Sequence, residues 1–294
     1  MTTYSNIGFI GLGVMGEPMC RNLARKSKAK VWASDLDPGP LQRLAADGVE
    51  RADVEAIMAT CDVVFLSLPS GEVVAQLCRQ QKGLLSLARH GQIVIDLSTS
   101  SVDTTRALAK EFAERGAWFI DAPVARTRAA AEAGTLAVMV GATPEVFEKA
   151  KPLIATFASD ITLCGPVGCG QVLKILNNMM LFEAVVAISE AKAIGEGAGV
   201  DPVVLFDTLS KGSADSFALR NHGMKAVLPG EFPERAFSVR YARKDLLYAL
   251  QLAEETGVEA RGAQVVDQWF KQAIEAGFGE QYHPVISRLI AGQH

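Results

Sequence analysis

The chain has 294 residues, of which 49% are hydrophobic and 21% are charged, and its formal net charge is −4. This composition suffices for one or two domains with apolar cores, and the acidic balance argues against a nucleic-acid-binding surface. Five scattered cysteines, no metal-ligand spacing, no recognisable signal peptide and no apolar run of membrane length predict a cytoplasmic protein with reduced thiols, no metal and no membrane partner.

The first predicted element is a short apolar strand over 7–10, which runs directly into Gly11-Leu12-Gly13-Val14-Met15-Gly16 and a helix. A dinucleotide-binding fingerprint requires this order of strand, glycine turn and helix. Its glycines allow a tight turn, close approach of a pyrophosphate to the backbone and packing of the helix on the strand, and the helix start offers N–H groups to the phosphates. We therefore predict that residues 11–16 bind a dinucleotide.

The second predicted strand, over 30–34, is followed by Asp35. An acidic residue at this place binds the hydroxyls of the adenosine ribose, and the next residue is Leu36 where an NADP enzyme would offer an arginine to the 2′-phosphate. The pattern thus favours NAD over NADP. Asp35 and Asp37 also suit the N-cap of the following helix, so one of them can cap while the other binds ribose.

Strands and helices go on alternating to Cys164, and helical periodicity dominates from Gly165 onward. The predicted fold is an α/β Rossmann-like N-terminal domain, 1–164, joined by a long helix to an all-α domain, 165–294, that completes the active site and the oligomer interface. The later strands are predicted over 63–67, 92–96, 118–121 and 160–163, with a further strand that follows Gly134-Thr135-Leu136 and ends at 140, and the later helices over 167–197, 202–210, 216–227, 239–256 and 260–276.

Two loops follow neighbouring strands of the predicted sheet. One contains Leu68 and Pro69, and the other contains Thr99 between two serines. Ligands of a parallel sheet lie beyond the carboxyl ends of its strands, so both loops are expected to touch the cofactor. Small hydroxyl residues at these places also fit ordinary helix caps.

Lys174, Asn177 and Asn178 interrupt the apolar run of the long helix. Their spacing of three and four residues places them on one helix face. Burying a lysine and two amides without partners is expensive, which favours a functional site. The alternative is a lysine whose ammonium group reaches solvent beside two amides that cap neighbouring groups.

The chain resembles the β-hydroxyacid dehydrogenase family, which includes 3-hydroxyisobutyrate dehydrogenase and tartronate semialdehyde reductase. The resemblance covers essentially the whole chain. It is carried by Gly11-x-Gly13-x-Met15-Gly16, Asp121-Ala122-Pro123-Val124, Gly134-Thr135-Leu136, Gly165-x-x-Gly168-x-Gly170-x-x-x-Lys174-x-x-x-Asn178 and Lys244-Asp245-Leu246.

This resemblance implies a homodimer or homotetramer and assigns roles to particular residues. Lys174 would be the catalytic lysine, and Asn178, with Asn177, would orient the substrate. The remaining positions implied to contact the cofactor are Leu68, Pro69, Thr99 and Lys244.

The substrate segment departs from the family pattern. The family usually continues Asp-Ala-Pro-Val with Ser-Gly-Gly, which holds the substrate carboxylate, whereas this chain has Ala125, Arg126 and Thr127. The Arg-Thr pair is similar to that of sulfolactaldehyde reductases in the same family, where the arginine faces the sulfonate. Arg126 is therefore expected to meet the anionic group of a small substrate, and the alternative is that its side chain points to solvent.

The predicted function is NAD-dependent hydride transfer between nicotinamide and a small acidic hydroxy compound, or its semialdehyde, similar to 3-hydroxyisobutyrate. Alternatives are a sulfolactaldehyde reductase-like enzyme and a non-catalytic dinucleotide-binding protein. An imine reductase would replace Lys174, and a 6-phosphogluconate dehydrogenase would need a larger helical domain.

Overall fold

The computed structural model describes residues 4–234 and 236–292, which divide into two compact units between Lys174 and Ile175. The first unit is built on one sheet. In the described residues its strands are β1 (Asn6–Ile10), β2 (Lys30–Ser34), β3 (Glu50–Arg51), β4 (Val63–Leu66), β5 (Ile93–Asp96), β6 (Trp118–Asp121), β7 (Val124–Ala125), β8 (Leu136–Gly141) and β9 (Ala158–Gly165).

Helices separate most of these strands. They are α1 (Gly16–Lys26), α2 (Pro38–Ala45), α3 (Val54–Thr60), α4 (Gly71–Arg79), α5 (Leu84–Leu87), α6 (Val102–Ala113), α7 (Arg128–Ala133) and α8 (Pro144–Ile154). Short polar side chains begin many of them by accepting hydrogen bonds from N–H groups of the first turn, as Asp53, Ser101 and Thr143 do. Each such cap satisfies a donor that the helix cannot.

The sheet has the strand order β3-β2-β1-β4-β5-β6-β8-β7, and β9 also pairs with β8. Strands β1 to β6 are parallel, while β8 runs antiparallel to β6 and β7. Because Asp121 pairs with Gly141 and Val124 with Val138, β6 and β7 form one line along β8. Both faces of the parallel part are buried, with Phe9, Phe65 and their neighbours fully enclosed, as expected when helices cover both faces.

The second unit is helical. The helix α9 (Cys169–Gly197) begins in the first unit and continues into the second. It is followed by α10 (Pro202–Leu209), a π-helix (Leu219–Val227), α11 (Val239–Thr256), α12 (Arg261–Glu275), a 3₁₀ turn (His283–Val285) and α13 (Ile286–Ile290). Phe182, Phe270 and the fully buried His283 pack together in its core. Burial holds the pKa of His283 well below its usual range, so this ring stays neutral.

These elements confirm the predicted fold class, an α/β Rossmann-like unit followed by helices. The shortest elements, such as β3 and α5, were not predicted, because they are too short to show a period. Residues 216–227 were predicted as an ordinary helix, although the residues from Leu219 to Val227 form a π-helix. A π-helix differs in its hydrogen bonds and not in a composition that a sequence displays.

The expectation that no apolar run reaches membrane length needs correction. Helix α9 is long and apolar enough to cross a membrane, with a mean hydropathy of 1.6 in a window of which 33% is buried. Length and composition do not separate a membrane span from a core helix of a globular protein, and one such helix is weak evidence for a membrane.

Candidate active site

The glycine loop between β1 and α1 has the geometry that a dinucleotide needs. A Cβ at Gly11 would lie 2.3 Å from the Ser67 carbonyl oxygen, and one at Gly16 would lie 2.1 Å from the Gly11 carbonyl oxygen. By contrast, nothing lies within 4 Å of a Cβ at Gly13. Two glycines thus permit close packing while the third leaves open space above the backbone, and the exposed Val14 borders it. The loop fits a pyrophosphate group.

Asp35 is held beside this loop. Its carboxylate accepts hydrogen bonds from the backbone N–H of Leu12 at 2.5 Å and of Asp37 at 2.7 Å. Asp37, in turn, accepts from the N–H of Gly39 and is the N-cap of α2. The two aspartates therefore have different structural roles, and Asp35 is the one fixed at the carboxyl end of β2.

An open groove of about 550 Å³ lies beside Asp35. Leu36, the next residue, is fully exposed, which leaves an apolar side chain in solvent at the end of β2. Arg51 also borders the groove, where the complete lining is Trp32, Ser34, Asp35, Leu41, Arg51, Ala52, Asp53 and Ala56. The groove lies where the adenosine half of a dinucleotide would continue from the glycine loop.

The loops after β4 and β5 are joined to each other. The N–H of Leu68 donates to Ser98 Oγ at 2.9 Å. The buried Asp96 at the end of β5 accepts from the Ser98 N–H and from the Ser100 hydroxyl, each at 2.9 Å. Thr99 lies between these two anchored serines and is itself buried. The loops predicted to contact the cofactor are therefore ordered neighbours at the carboxyl ends of adjacent parallel strands.

Asp121, at the end of β6, forms hydrogen bonds with backbone N–H groups at the start of α9. Its carboxylate accepts from the N–H of Gly168 at 2.7 Å and of Gln171 at 2.8 Å. Gly170 lies so close that a Cβ there would be 2.3 Å from the Met139 carbonyl oxygen. Burial raises the pKa of Asp121 to about 6. The hydrogen bonds from the N–H groups of Gly168 and Gln171 lower this pKa, but their effect is smaller than that of burial. The first turn of α9 thus belongs to the sheet unit.

The predicted polar residues of α9 differ in exposure. Asn178 is buried, Lys174 is half-buried and Asn177 is exposed. Asn178 Nδ2 donates to Asp245 Oδ2 at 2.7 Å, and its Oδ1 accepts from Asn177 Nδ2 at 3.2 Å. These contacts fix the orientation of the Asn178 amide. The environments of Asn177 and Asn178 therefore differ.

Lys244 adjoins the same carboxylate. Its Nζ lies 3.0 Å from Asp245 Oδ1, and it sits 4.4 Å from the ring centre of Tyr241 and 5.3 Å from that of Tyr248. Asp245 is 1% exposed, so its negative charge is buried between a lysine and an amide. Asp245 was not predicted as a site residue and appeared only within the motif Lys244-Asp245-Leu246. Its position directly after Lys244 was the signal that could have suggested a role.

Arg126 has a backbone and side-chain environment that the sequence did not indicate. Its φ is +86°, a left-handed conformation that favours the glycine usual at this place in the family. Its guanidinium lies 2.8 Å from Asp160, and it donates to the Thr135 carbonyl at 2.7 Å and to Ser159 Oγ at 3.0 Å. The anion that meets this cation in the structure is therefore Asp160.

The flanking residues of the substrate segment have structural places as well. Ala125 pairs with Ala137 in the sheet, and the hydroxyl of Thr127 caps α7 by accepting from the Ala130 N–H. Hydrogen bonding to Ser159, and then the contact with Arg126, lowers the pKa of Asp160. Residues 125–127 are therefore ordered, and the positive charge of Arg126 is partly neutralised by Asp160. Across the described residues, no group of three or more His, Cys, Asp or Glu could hold a metal ion.

A glycine loop that fits a pyrophosphate, beside a fixed carboxylate and ordered strand-end loops, is the arrangement of a dinucleotide-binding Rossmann-like fold. Family models agree with this class over nearly the whole chain. Residues 6–165 match the NAD-binding domain of 6-phosphogluconate dehydrogenase, and residues 168–290 match the NAD-binding domain of NADP-dependent 3-hydroxyisobutyrate dehydrogenase.

The chain belongs to the β-hydroxyacid dehydrogenase family. It is 33% identical over 276 residues to 2-(hydroxymethyl)glutarate dehydrogenase of Eubacterium barkeri, covering 94% of this chain and 91% of that one. It is 30% identical over 284 residues to 2-hydroxy-3-oxopropionate reductase of Escherichia coli strain K12, covering 97% and 96%.

Solved structures show the same architecture. A Mycobacterium tuberculosis 3-hydroxyisobutyrate dehydrogenase structure described with L-serine is 28% identical, with a TM-score of 0.87 over 97% of this chain and 99% of that chain. The protein is accordingly an NAD(P)-dependent oxidoreductase of the hydroxyacid dehydrogenase and semialdehyde reductase type.

Proposed function

We propose that the protein prefers NAD(H) and interconverts a small acidic hydroxy compound and its semialdehyde, with Lys174 as the acid–base residue. The glycine loop with the open space above Gly13 is the observation that carries the cofactor part of this proposal. A panel of 3-hydroxyisobutyrate, tartronate semialdehyde, succinic semialdehyde, L-serine and sulfolactaldehyde, read by NADH absorbance, tests it. Tight NADH binding without turnover on any of them would favour the non-catalytic alternative.

In this proposal, residues 11–16 hold the pyrophosphate, Asp35 holds the adenosine ribose, and Leu68, Pro69, Thr99 and Lys244 complete the contacts. The bound nicotinamide supplies or accepts the hydride. Lys174 accepts the alcohol proton during oxidation and returns it to the developing alkoxide during reduction. Asn178, oriented by Asp245 and assisted by Asn177, holds the reacting oxygen in line.

The preference for NAD(H) should reverse when the end of β2 is rebuilt. In the double variant Asp35→Ser, Leu36→Arg, a carboxylate that would repel the 2′-phosphate is replaced and a cation is added beside it. We expect kcat/KM to favour NAD(H) in the wild type and to move toward NADP(H) by at least about tenfold in the variant, which is about 1.4 kcal/mol. Steady-state rates with both cofactors at one substrate concentration measure this.

Each single variant serves as a control for the double variant. Asp35→Ser removes the carboxylate that would repel the 2′-phosphate, and Leu36→Arg adds a cation that would attract it. A wild type that prefers NADPH would contradict the proposal. Arg51, which borders the same groove, would then be the cation to replace.

The proposed substrate carries its anionic group to Arg126. The ion pair of Arg126 with Asp160 is exposed, and exposed pairs contribute about 0–1 kcal/mol, so a substrate anion can replace Asp160 at modest cost. A planar guanidinium suits a carboxylate or two oxygens of a sulfonate. Carboxylate is proposed because it is the family's common group. Sulfonate is the second candidate because Arg126 and Thr127 resemble the sulfolactaldehyde reductase pair.

Removing the Arg126 cation should harm acidic substrates selectively. We expect Arg126→Ala to lower kcat/KM for acids by about 30–100-fold, the scale of a charge-assisted hydrogen bond, and to change neutral aldehydes by less than about threefold. Arg126→Gly is the matched control, because it removes the same charge while relieving the left-handed backbone. Comparable losses on acidic and neutral substrates in both variants would show that Arg126 supports the fold instead of selecting the anion.

Two further proposals rest on the resemblance and on composition. The protein is proposed to act in the cytoplasm and to form a homodimer or homotetramer. Light scattering at several protein concentrations measures the oligomeric state.

A further inference from the structure

We infer that Gln171 is a positioning residue that locks the cofactor loop 98–100 to the first turn of α9, and through that turn sets the place of Lys174. The inference rests on the proposed function, since it concerns the alignment of the proposed catalytic lysine. The side chain of Gln171 is fully buried. Its Nε2 donates to the Ser98 carbonyl at 2.8 Å, and its Oε1 accepts from the Ser100 N–H at 3.1 Å.

An amide meets both demands of this loop at every pH. The carbonyl of Ser98 needs a donor and the N–H of Ser100 needs an acceptor, and a glutamine offers one of each. A glutamate has a donor only while it is protonated, and a lysine has no acceptor. The chemical requirement of the loop therefore explains a buried glutamine at this position.

The amide closes a continuous network of buried polar groups. Ser98 and Ser100 are held by Asp96 at the end of β5, while the backbone N–H of Gln171 is held by Asp121 at the end of β6. Asp96 and Asp121 are paired neighbours in the sheet. Gln171 thus connects the loop 98–100 to the start of α9 by hydrogen bonds, beside the ends of β5 and β6.

Lys174 follows Gln171 by three residues on the same helix, a rise of about 4.5 Å along its axis. Thr99 lies between the two serines that Gln171 holds. A displacement of about 1 Å between reacting groups can cost about 100-fold in rate. Loosening the loop against the helix should therefore lower kcat even though Gln171 itself does not touch the reacting atoms.

The variant Gln171→Glu tests this with a pH profile. When the new side chain is ionised, it lacks the donor and places a negative charge against the Ser98 carbonyl; when protonated, it again offers a donor and an acceptor. We expect kcat to be about 10–100-fold below wild type at pH 8.5, and the ratio of variant to wild type to recover to within about threefold by pH 5.5. The Kd for NADH, measured by fluorescence, should stay within about threefold.

Gln92→Glu provides a matched control. Gln92 is a buried glutamine just before β5, and it donates to the carbonyls of Met58 and Cys61 and accepts from the Arg89 N–H. The same substitution there should lower the melting temperature and leave kcat within about twofold of wild type at every pH. A purely structural effect at Gln171 would instead give both variants the same kcat profile.

Two outcomes separate this inference from the proposed function. If the wild type turns over an acidic substrate and kcat stays at the wild-type value both in Gln171→Glu at pH 8.5 and in Gln171→Met, which has no amide at any pH, Gln171 is not a positioning residue and the proposed function stands. If the wild type turns over no substrate of the panel, the proposed function fails. A deuterium isotope effect on kcat with [4-²H]NADH that is larger in Gln171→Glu than in wild type would support misalignment at the hydride-transfer step.

Discussion

Replacing Lys174 with alanine is expected to lower kcat by at least about 100-fold, the usual worth of a positioned acid–base group. The alcohol proton would then have no acceptor on α9 when hydride leaves, and the developing alkoxide would have no donor during reduction. The Kd for NADH should change by less than about threefold, because the glycine loop and Asp35 remain intact. Stopped-flow measurement of NADH formation, with NADH fluorescence titration beside it, separates the two effects.

Lys192→Ala is the matched control, since Lys192 is a lysine of the same helix that pairs with Glu196. It should keep wild-type kcat and lose little stability, as for a helical ion pair of this kind. Near-wild-type turnover of Lys174→Ala across the pH range would remove Lys174 from the mechanism. Partial rescue of Lys174→Ala by added small primary amines would support its role as proton carrier.

Asp121→Ala is expected to lower the free energy of unfolding at pH 7 by about 2–4 kcal/mol, because two buried N–H groups, those of Gly168 and Gln171, lose their acceptor. The same substitution removes the hydrogen bonds that hold the first turn of α9. Because α9 carries Lys174, kcat should fall together with the free energy of unfolding. Asp121→Asn keeps one acceptor and should lie between wild type and Asp121→Ala. Chemical denaturation followed by circular dichroism gives the three free energies.

The pH dependence of this effect follows from the raised pKa of Asp121. Folding raises that pKa from 3.8 to about 6, chiefly by burial. The native state therefore binds the proton more tightly, so the contribution to stability is full below pH 3.8 and is lost as the pH rises through about 6. The free energy of unfolding of wild type, relative to Asp121→Asn, should fall by about 2–3 kcal/mol between pH 4 and pH 6.5. A difference that grows over this interval would contradict the assignment.

Much of the fold could be predicted because it depends on local patterns. The alternation of short apolar strands with helices, and the glycines between β1 and α1, require only neighbouring residues to be recognised. The same is true of the long helix that carries Lys174 and Asn178. The π-helix at 219–227 could not be predicted, because its distinction lies in hydrogen bonds that packing selects.

The sequence by itself indicated the class of the protein, and it is the source of two proposals, the pyrophosphate site at residues 11–16 and the catalytic lysine on α9. Those features follow from backbone freedom at glycines and from spacing along one helix. The tertiary structure alone decided which polar groups meet across long separations. It paired Gln171 with the loop at 98–100, Asp121 with the start of α9, Asp245 with Asn178 and Asp160 with Arg126. Such pairs join residues far apart in sequence, and no local period or propensity encodes which buried donor will reach which acceptor.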